Sequence, residues 1–210
     1  MEKQPQERNK ERSKQVILDT AIKLLKEKGI KNFTVENLAK KSGKSRRLIY
    51  NYYGNVDEIL KAVLNKSDFW LTLEERIEEV ILKQKSENTK NLASLVFSNH
   101  CDTFYKDSLI QEISALELTN KSGLLYNISN SRERIGEKLF EVAEPDFENT
   151  NVSIRMLSAI LIGGINYVLL HSKTNASTFC GLNLNNEQDF NLLKKTIDQI
   201  IGWAYEAERQ

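Results

Sequence analysis

The chain has 210 residues, of which 40% are hydrophobic, and its 30 Lys and Arg nearly balance its 29 Asp and Glu. That length fits one large domain, or a small domain joined to a larger one. No apolar run reaches the roughly 20 residues that span a bilayer, and the polar N-terminus lacks the pattern of a signal peptide. With only two cysteines, which argues against a disulfide framework, the composition predicts a cytoplasmic protein without a membrane segment.

Charge is divided unevenly along the chain. Residues 1–65 hold 15 Lys and Arg against 8 Asp and Glu, a balance of +7, and the remaining residues have a balance of −6. A basic first third is typical of a protein with a polyanionic partner at one end. Chance clustering on a solvated surface produces the same division, so charge alone leaves both interpretations open.

Helical periodicity dominates the sequence. Only 2 Pro and 9 Gly interrupt it, and the pattern predicts an all-α fold of about nine helices, with no strand and no repeat of fixed period. A disordered arm over residues 1–11 is expected first. The predicted helices then run over about 12–28, 34–42, 45–53, 57–84, 89–106, 108–120, 124–143, 152–171 and 187–206, with the polar segment 172–186 not helical throughout.

The two short helices after Thr34 are joined by a tight turn. Their close crossing requires a small residue, which Ala39 provides, and Gly43 fits a turn position that a side chain would strain. The outer face of the second helix contains basic, polar and aromatic residues and no acid: Lys44, Ser45, Arg46, Arg47, Tyr50 and Asn51. A helix of this size fits the major groove of DNA, where Arg binds guanine and Asn binds adenine. Lys40 and Lys41 add charge that attracts phosphate.

A set of residues in this region also follows a known order: Thr34, Leu38-Ala39, Gly43, Ser45, Ile49-Tyr50, Tyr52-Tyr53 and Asp57-Glu58-Ile59-Leu60. With them, residues 12–64 resemble the TetR family of transcriptional regulators. The resemblance implies that Thr34 and Tyr50 contact phosphates, that Ser45 opens the recognition helix, and that Tyr52 joins this helix to the domain core. The predicted DNA-binding residues are Thr34, Lys44, Ser45, Arg46, Arg47, Tyr50, Asn51 and Tyr52.

Three positions depart from the family pattern. Lys44 stands where an apolar residue is usual, so we expect its stem to pack while its amine reaches DNA. Arg47-Leu48 replaces a commoner small pair, which predicts an unusual base preference. Val56 stands where a lysine often meets phosphate, which puts that contact in doubt.

The resemblance implies a helix-turn-helix domain over residues 12–56 and a helical regulatory and dimerisation domain over residues 57–210. It implies a homodimer that binds a palindromic operator in double-stranded DNA, more often to repress than to activate, and that a small-molecule effector releases. The dimer interface is expected on the last two helices, at Ile160, Gly163, Gly164, Tyr167, Ile197, Ile200, Ile201 and Ala204. Close helix approach would explain the glycine pair, and a local kink is the alternative.

The effector is expected among the middle helices. The candidate lining residues are Phe97, His100, Cys101, Phe104, Tyr105, Tyr126 and Tyr167, for each of which plain core packing is the alternative. His100, Cys101 and Asp102, even with His171 and Cys180, do not have metal-ligand spacing, so no metal and no cofactor are predicted.

Two other functions stay open. One is a helix-turn-helix regulator that has no small-molecule effector and is controlled by a protein partner. The other is an all-helical enzyme, against which the absence of a nucleophile motif, a phosphate loop or a nucleotide fingerprint argues.

Overall fold

A computed structural model describes residues 5–74, 77–84, 89–120, 122–175 and 177–207. Over these residues the chain forms eleven α-helices and two short 3₁₀ turns, Ile30–Asn32 and Glu144–Phe147, so the all-α prediction is confirmed. The helices are α1 (Pro5–Lys28), α2 (Val35–Ser42), α3 (Arg46–Tyr53), α4 (Val56–Ser67), α5 (Phe69–Glu74), α6 (Ile77–Gln84), α7 (Thr89–Lys106), α8 (Ser108–Thr119), α9 (Gly123–Ala143), α10 (Ile154–Asn175) and α11 (Glu187–Tyr205).

Helix α1 is longer than the sequence pattern predicts. It begins at Pro5, so the prediction of a disordered arm is wrong from residue 5 to residue 11. Proline is tolerated in the first turn of a helix, and the Glu, Arg, Lys and Gln residues that follow are good helix formers. Apolar periodicity could not predict the first turns of α1, because residues 6–15 include no apolar residue.

The long helix predicted over residues 57–84 is interrupted at Asp68, between α4 and α5, whereas residues 75 and 76, between α5 and α6, lie outside the described residues. At the interruption, Oδ1 of Asp68 accepts hydrogen bonds from the backbone nitrogens of Trp70 at 2.9 Å and Leu71 at 3.4 Å. A side chain that caps the next helix in this way ends the preceding one. The interruption at Asp68 and the two undescribed residues between α5 and α6 together account for the difference between nine predicted and eleven described helices.

The first of two compact units combines the chain up to Ser67 with residues 108–128. Its central helix is α1, which packs against α2, α3, α4 and α8. The buried side chains of α1 are Ile17, Leu18, Ala21, Leu24 and Leu25, at the spacing of one helical face. Helices α4 and α8 lie in this unit, so its boundary differs from the division predicted at residue 57.

A carboxylate fixes α8 within this unit. Both oxygens of Glu112 accept from the backbone nitrogen of Ile30 at 3.0 Å. Gly29 has a φ of 71°, and a Cβ at that position would lie 3.0 Å from Oε1 of Glu112. The site therefore requires glycine both for its backbone conformation and for the space that the carboxylate occupies.

The second unit contains residues 68–107 and the chain from Ser129 onward. Its central helix is α7, which packs against α5, α6, α10 and α11. The buried apolar residues of α7 are Leu92, Val96, Phe97, Cys101 and Phe104. Helix α10 reaches Asn175, and a two-residue turn at Cys180 and Gly181 then joins Phe179 to Leu182 through a pair of backbone hydrogen bonds of 2.9 and 3.0 Å.

Candidate nucleic-acid interface

Helix α2 begins and ends at residues suited to those positions. Oγ1 of Thr34 accepts from the backbone nitrogen of Asn37 at 3.2 Å and so satisfies one of the unpaired donors of the first turn. Gly43 follows the helix in the left-handed conformation, with a φ of 65°. Between these ends Val35 and Leu38 are buried, so α2 is held by its apolar face.

Helix α3 is anchored at three points. Oγ of Ser45 accepts from the backbone nitrogen of Leu48 at 3.2 Å and caps the helix, and Ile49 is its fully buried residue. At the other end the hydroxyl of Tyr53 donates to the carbonyl oxygen of Lys14 on α1 at 2.9 Å. Burial raises the pKa of Tyr53, and Asp19 and Glu11 act in the same direction, so this hydroxyl remains a donor.

The remaining surface of α3 is open to solvent. Thr34, Ser45, Arg46, Arg47, Tyr50 and Asn51 are exposed, while Lys44 and Tyr52 are half-buried. Partial burial of Lys44 agrees with the expectation that its stem packs. Thr34, Arg46 and Tyr50 line one groove of about 450 Å³, together with Phe33, Val35, Glu36 and Val56. The structure thus brings three of the predicted DNA-binding residues to one groove, and the other five flank it along the sequence.

Two acidic residues that the sequence reasoning missed contact this basic surface. Nη1 of Arg46 donates to Oε1 of Glu36 at 2.7 Å, although ten residues and a turn separate them. Lys41 forms an ion pair with Glu27 of α1, and that contact lowers the pKa of Glu27. The acid-free face of α3 therefore receives a carboxylate from α2, which becomes visible only when the two helices are packed.

The sequence of this unit matches a family model. Residues 17–63 fit the model described as bacterial regulatory proteins, tetR family. Residues 17–63 belong to the TetR family, as the resemblance of residues 12–64 implied, and the chain is a transcriptional regulator with a DNA-binding helix-turn-helix.

Solved structures of other regulators share the fold of this chain. Bacillus subtilis FadR, solved with stearoyl-CoA, is 18% identical with a TM-score of 0.59, over 89% of this chain and 96% of that one. Bacillus halodurans FadR, a fatty acid degradation regulator, is 18% identical with a TM-score of 0.60 over the same shares. A TetR-like regulator from Rhodococcus sp. RHA1 is 16% identical, with a TM-score of 0.53 over 90% and 96%. Identities this low show a shared fold and no more. Sequence comparison with curated proteins finds no match.

The residues predicted to line an effector pocket differ in their burial. Phe97, His100, Cys101 and Phe104 are buried in the core along α7, and Tyr105 is half-buried, stacked on Phe190 with ring centroids 4.2 Å apart. By contrast, Tyr126 is 67% exposed and Tyr167 is 56% exposed, so neither lines an enclosed cavity here. The four α7 residues are buried, and their assignment to an effector pocket stays a prediction.

A polar cluster inside the second unit was not predicted. Arg132 of α9 donates to Oδ2 of the buried Asp68 through Nε at 3.0 Å and Nη2 at 2.5 Å. His100, also buried, shares a hydrogen bond of 2.9 Å with Oδ1 of Asn166 on α10. Burial lowers the pKa of His100 to about 4 and raises that of Cys101 to about 12, so both groups are neutral near pH 7. The isolated residue types gave no sequence signal for this cluster, because its members come from separate helices.

The predicted dimer residues fall into two groups. On α11, Ile197, Ile201 and Ala204 are buried within their own chain and Ile200 is half-buried, because this stripe faces inward in a helix that packs on α7. Ile197, Ile201 and Ala204 are therefore covered within this chain, and the contact of this stripe with a second copy stays a prediction. On α10, Gly163 and Gly164 are exposed, as are Ile160 at 64% and Tyr167 at 56%.

The exposed side of α10 extends further than predicted. Met156 is 62% exposed, and its spacing from Ile160 and Gly163 places all three on one helical face. A Cβ at Gly163 or Gly164 would meet nothing within 4 Å, so no neighbour among the described residues explains the glycines. By length and composition α10 could cross a membrane, as core helices of soluble proteins also could, yet only 28% of its most apolar window is buried. Trp203 and Leu192, at 60% and 47% exposure, add apolar surface on α11.

Proposed function

We propose that this regulator is a homodimeric repressor that binds a palindromic operator in the cytoplasm and leaves it when a small-molecule effector binds. The observation that carries the proposal is the exposed, cationic surface of α3. It lies beside a groove lined by Thr34 and Tyr50, and among the described residues the acid that pairs with it is Glu36 of α2, on Arg46. Such a helix suits a groove of duplex DNA, which combines a polyanionic backbone with base edges that accept hydrogen bonds.

Roles within the interface follow from side-chain chemistry. Arg46, Arg47 and Asn51 are suited to reading base edges, because they can form paired hydrogen bonds with guanine or adenine. Thr34, Lys44 and Tyr50 are suited to phosphates, and Ser45 presents the N-terminus of α3, whose dipole favours an anion. Tyr52 is half-buried and is suited to joining α3 to the domain core.

Homodimerisation would cover the apolar side of α10. Met156, Ile160, the two glycines and Tyr167 form a continuous apolar surface that lacks cover within this chain. Exposed apolar surface of this kind is typical of protein–protein contact, and glycine allows two helices to approach closely. A dimer would also place two recognition helices for half-sites about 34–36 Å apart.

The effector class is proposed from fold likeness. One similar structure was solved with stearoyl-CoA, so long-chain acyl thioesters are the first class to test. The interior of the second unit is lined by aromatic and aliphatic side chains of α7, such as Phe97 and Phe104, which an acyl chain could contact by displacing neighbouring side chains. Release would follow if the effector favours a conformer in which the recognition helices are wrongly spaced.

Selection from random duplex DNA tests the DNA-binding part. We expect a palindromic consensus, bound by a dimer, with affinity that falls steeply as salt rises because several phosphates are neutralised. A non-palindromic consensus bound by a monomer would contradict the dimer. Failure to bind any duplex at low ionic strength would refute the proposal.

The effector is tested on the selected operator. Stearoyl-CoA should release the labelled duplex, whereas free coenzyme A should not, because it lacks the acyl chain. Unchanged operator binding across acyl-chain lengths would remove this effector class. It would favour the alternative of control by a protein partner.

A further inference from the structure

The ion pair between Glu36 and Arg46 places a carboxylate on the surface proposed to bind DNA. Its side chains are 75% and 63% exposed, and exposed pairs of this kind contribute little to stability. Both residues line the groove that also contains Thr34 and Tyr50, where phosphate is expected. A carboxylate there repels DNA, so a DNA-binding surface would be expected to lack one unless it serves another purpose.

The position of Arg46 suggests that purpose. It is the first residue of α3, where the helix dipole disfavours a cation, and Lys44 and Arg47 are close in sequence. Glu36, in the first turn of α2, offers the one carboxylate that contacts Arg46 among the described residues. The contact therefore offsets the unfavourable position and restricts the otherwise mobile guanidinium.

The geometry of the contact leaves donors for DNA. Only Nη1 of Arg46 donates to Glu36, at 2.7 Å, so Nε and Nη2 keep their hydrogens for another acceptor in the described structure. Guanidinium is planar and rigid, so fixing one nitrogen restricts the direction of the remaining donors. Paired acceptors such as O6 and N7 of guanine require such a fixed pair of donors.

We propose that Glu36 is a positioning residue that determines sequence specificity by holding Arg46 for paired hydrogen bonding to a guanine. This inference rests on the proposed operator binding. In it, the carboxylate reduces attraction to phosphate in general and increases discrimination among bases. Glu36 thus increases the preference for the operator over other duplexes without increasing the affinity for DNA in general.

A double-mutant cycle tests the inference. The variants are Glu36→Ala, Glu36→Gln, Arg46→Ala and the double variant Glu36→Ala/Arg46→Ala, with Glu11→Ala as an exposed acid of α1 that has no part in the groove. The readout is the ratio of the dissociation constants for an unrelated duplex and for the selected operator. Circular dichroism confirms that each variant keeps its helices.

For Glu36→Ala we expect this ratio to fall at least about fivefold, while affinity for the unrelated duplex is unchanged or higher. Glu36→Gln, which keeps an acceptor oxygen at the same length, should retain more of the ratio than Glu36→Ala. In the Arg46→Ala background, removing Glu36 should change the ratio no further. Glu11→Ala should match the wild type.

Repulsion alone would produce a different pattern. If Glu36→Ala tightened binding to both duplexes by the same factor, with or without Arg46, the ratio would stay constant and the positioning role would be wrong. These variants are interpreted only if the wild type prefers its selected operator. If the wild type binds no duplex, the proposed function itself fails, which separates that outcome from a failure of this inference.

Discussion

The two units of this regulator arrange polarity in opposite ways. Around α3, charged residues lie on the surface and an apolar residue, Ile49, lies inside. In the second unit, Ile160 and Met156 lie on the surface of α10, while Asp68 and His100 are buried. The charged surface of α3 suits contact with a hydrated polyanion. The apolar surface of α10 suits contact with another protein, and the interior of the second unit keeps His100 neutral. If the proposed function holds, DNA binding and its control use surfaces with different chemistry.

The largest effect is expected from a substitution on the exposed apolar side of α10. Ile160→Glu would place a charge in the centre of the exposed apolar side, and we expect loss of the dimer. Affinity for a palindromic operator should then weaken about 10²–10⁴-fold, because the two half-sites are no longer bound by one linked molecule. Analytical ultracentrifugation and fluorescence anisotropy measure the two effects.

Leu95→Glu is the matched control for this change. Leu95 is 43% exposed but lies on α7, so the same new charge there should leave the dimer intact. A dimer that persists in Ile160→Glu would show that α10 is not the interface.

The polar interior is tested by pH. Burial lowers the pKa of His100 from 6.5 to about 4, with Arg132 acting in the same direction and Asn166 and Asp68 opposing it. Between about pH 6.5 and pH 4, His100 binds a proton in the unfolded chain but not in the folded chain. The free energy of unfolding should therefore fall from about pH 6.5 to about pH 4, by about 3 kcal/mol in total.

Urea unfolding at several pH values, compared with His100→Gln, isolates this contribution. The difference between the two proteins should shrink or reverse as pH falls, and His171→Gln, which retains His100, should keep the wild-type slope. Parallel curves for the wild type and His100→Gln would contradict burial of a neutral imidazole.

Two glycine substitutions in the first unit separate the cost of backbone strain from the contribution of the Glu112 contact. Gly43→Ala should cost about 1–2 kcal/mol from backbone strain alone, since the added Cβ meets nothing within 4 Å. Gly29→Ala should cost more, about 2–3 kcal/mol, because the Cβ also displaces Glu112 from Ile30. Equal losses in urea unfolding would show that the carboxylate contact contributes nothing.

The smallest expected effects distinguish base reading from phosphate contact on α3. Arg47→Ala should cost about 1–3 kcal/mol on the preferred operator and relax preference at one base pair. Lys44→Ala should weaken binding uniformly and reduce the salt slope by about one. Anisotropy titrations across salt and a panel of operator variants measure both, with Lys195→Ala on α11 as a charge-matched control. A uniform loss across that panel for Arg47→Ala would assign Arg47 to phosphate instead.

Sequence reasoning succeeded where a helix has one apolar face and clear ends. Thr34, Gly43 and Ser45 mark the ends of α2 and α3 by side-chain chemistry alone, and Leu38 and Ile49 identify the buried side. The fold class and the family could be predicted for the same reason. Partners supplied by other helices, such as Glu36 on Arg46, could not, because they depend on how elements cross.

Helices that are apolar on several sides gave less reliable results. On α11 the stripe of Ile197, Ile201 and Ala204 was assigned to a second copy, although all three are buried within the chain, Ala204 in a cluster with Ala143, Phe147 and Ile154. Periodicity identifies which residues share a face but not what that face meets. Helix α10 shows the same ambiguity, since both its buried and its exposed sides contain apolar residues.

The contact between Glu112 and Ile30 means that the DNA-reading head is not a contiguous piece of sequence. A fragment that stops at Ser67 would leave the Ile30 amide without its carboxylate acceptor and the inner face of α1 partly uncovered. Chimeras that graft this head onto the sensor of another regulator should therefore carry α8 with it. Through the same carboxylate, α8 is hydrogen-bonded directly to the turn that precedes α2.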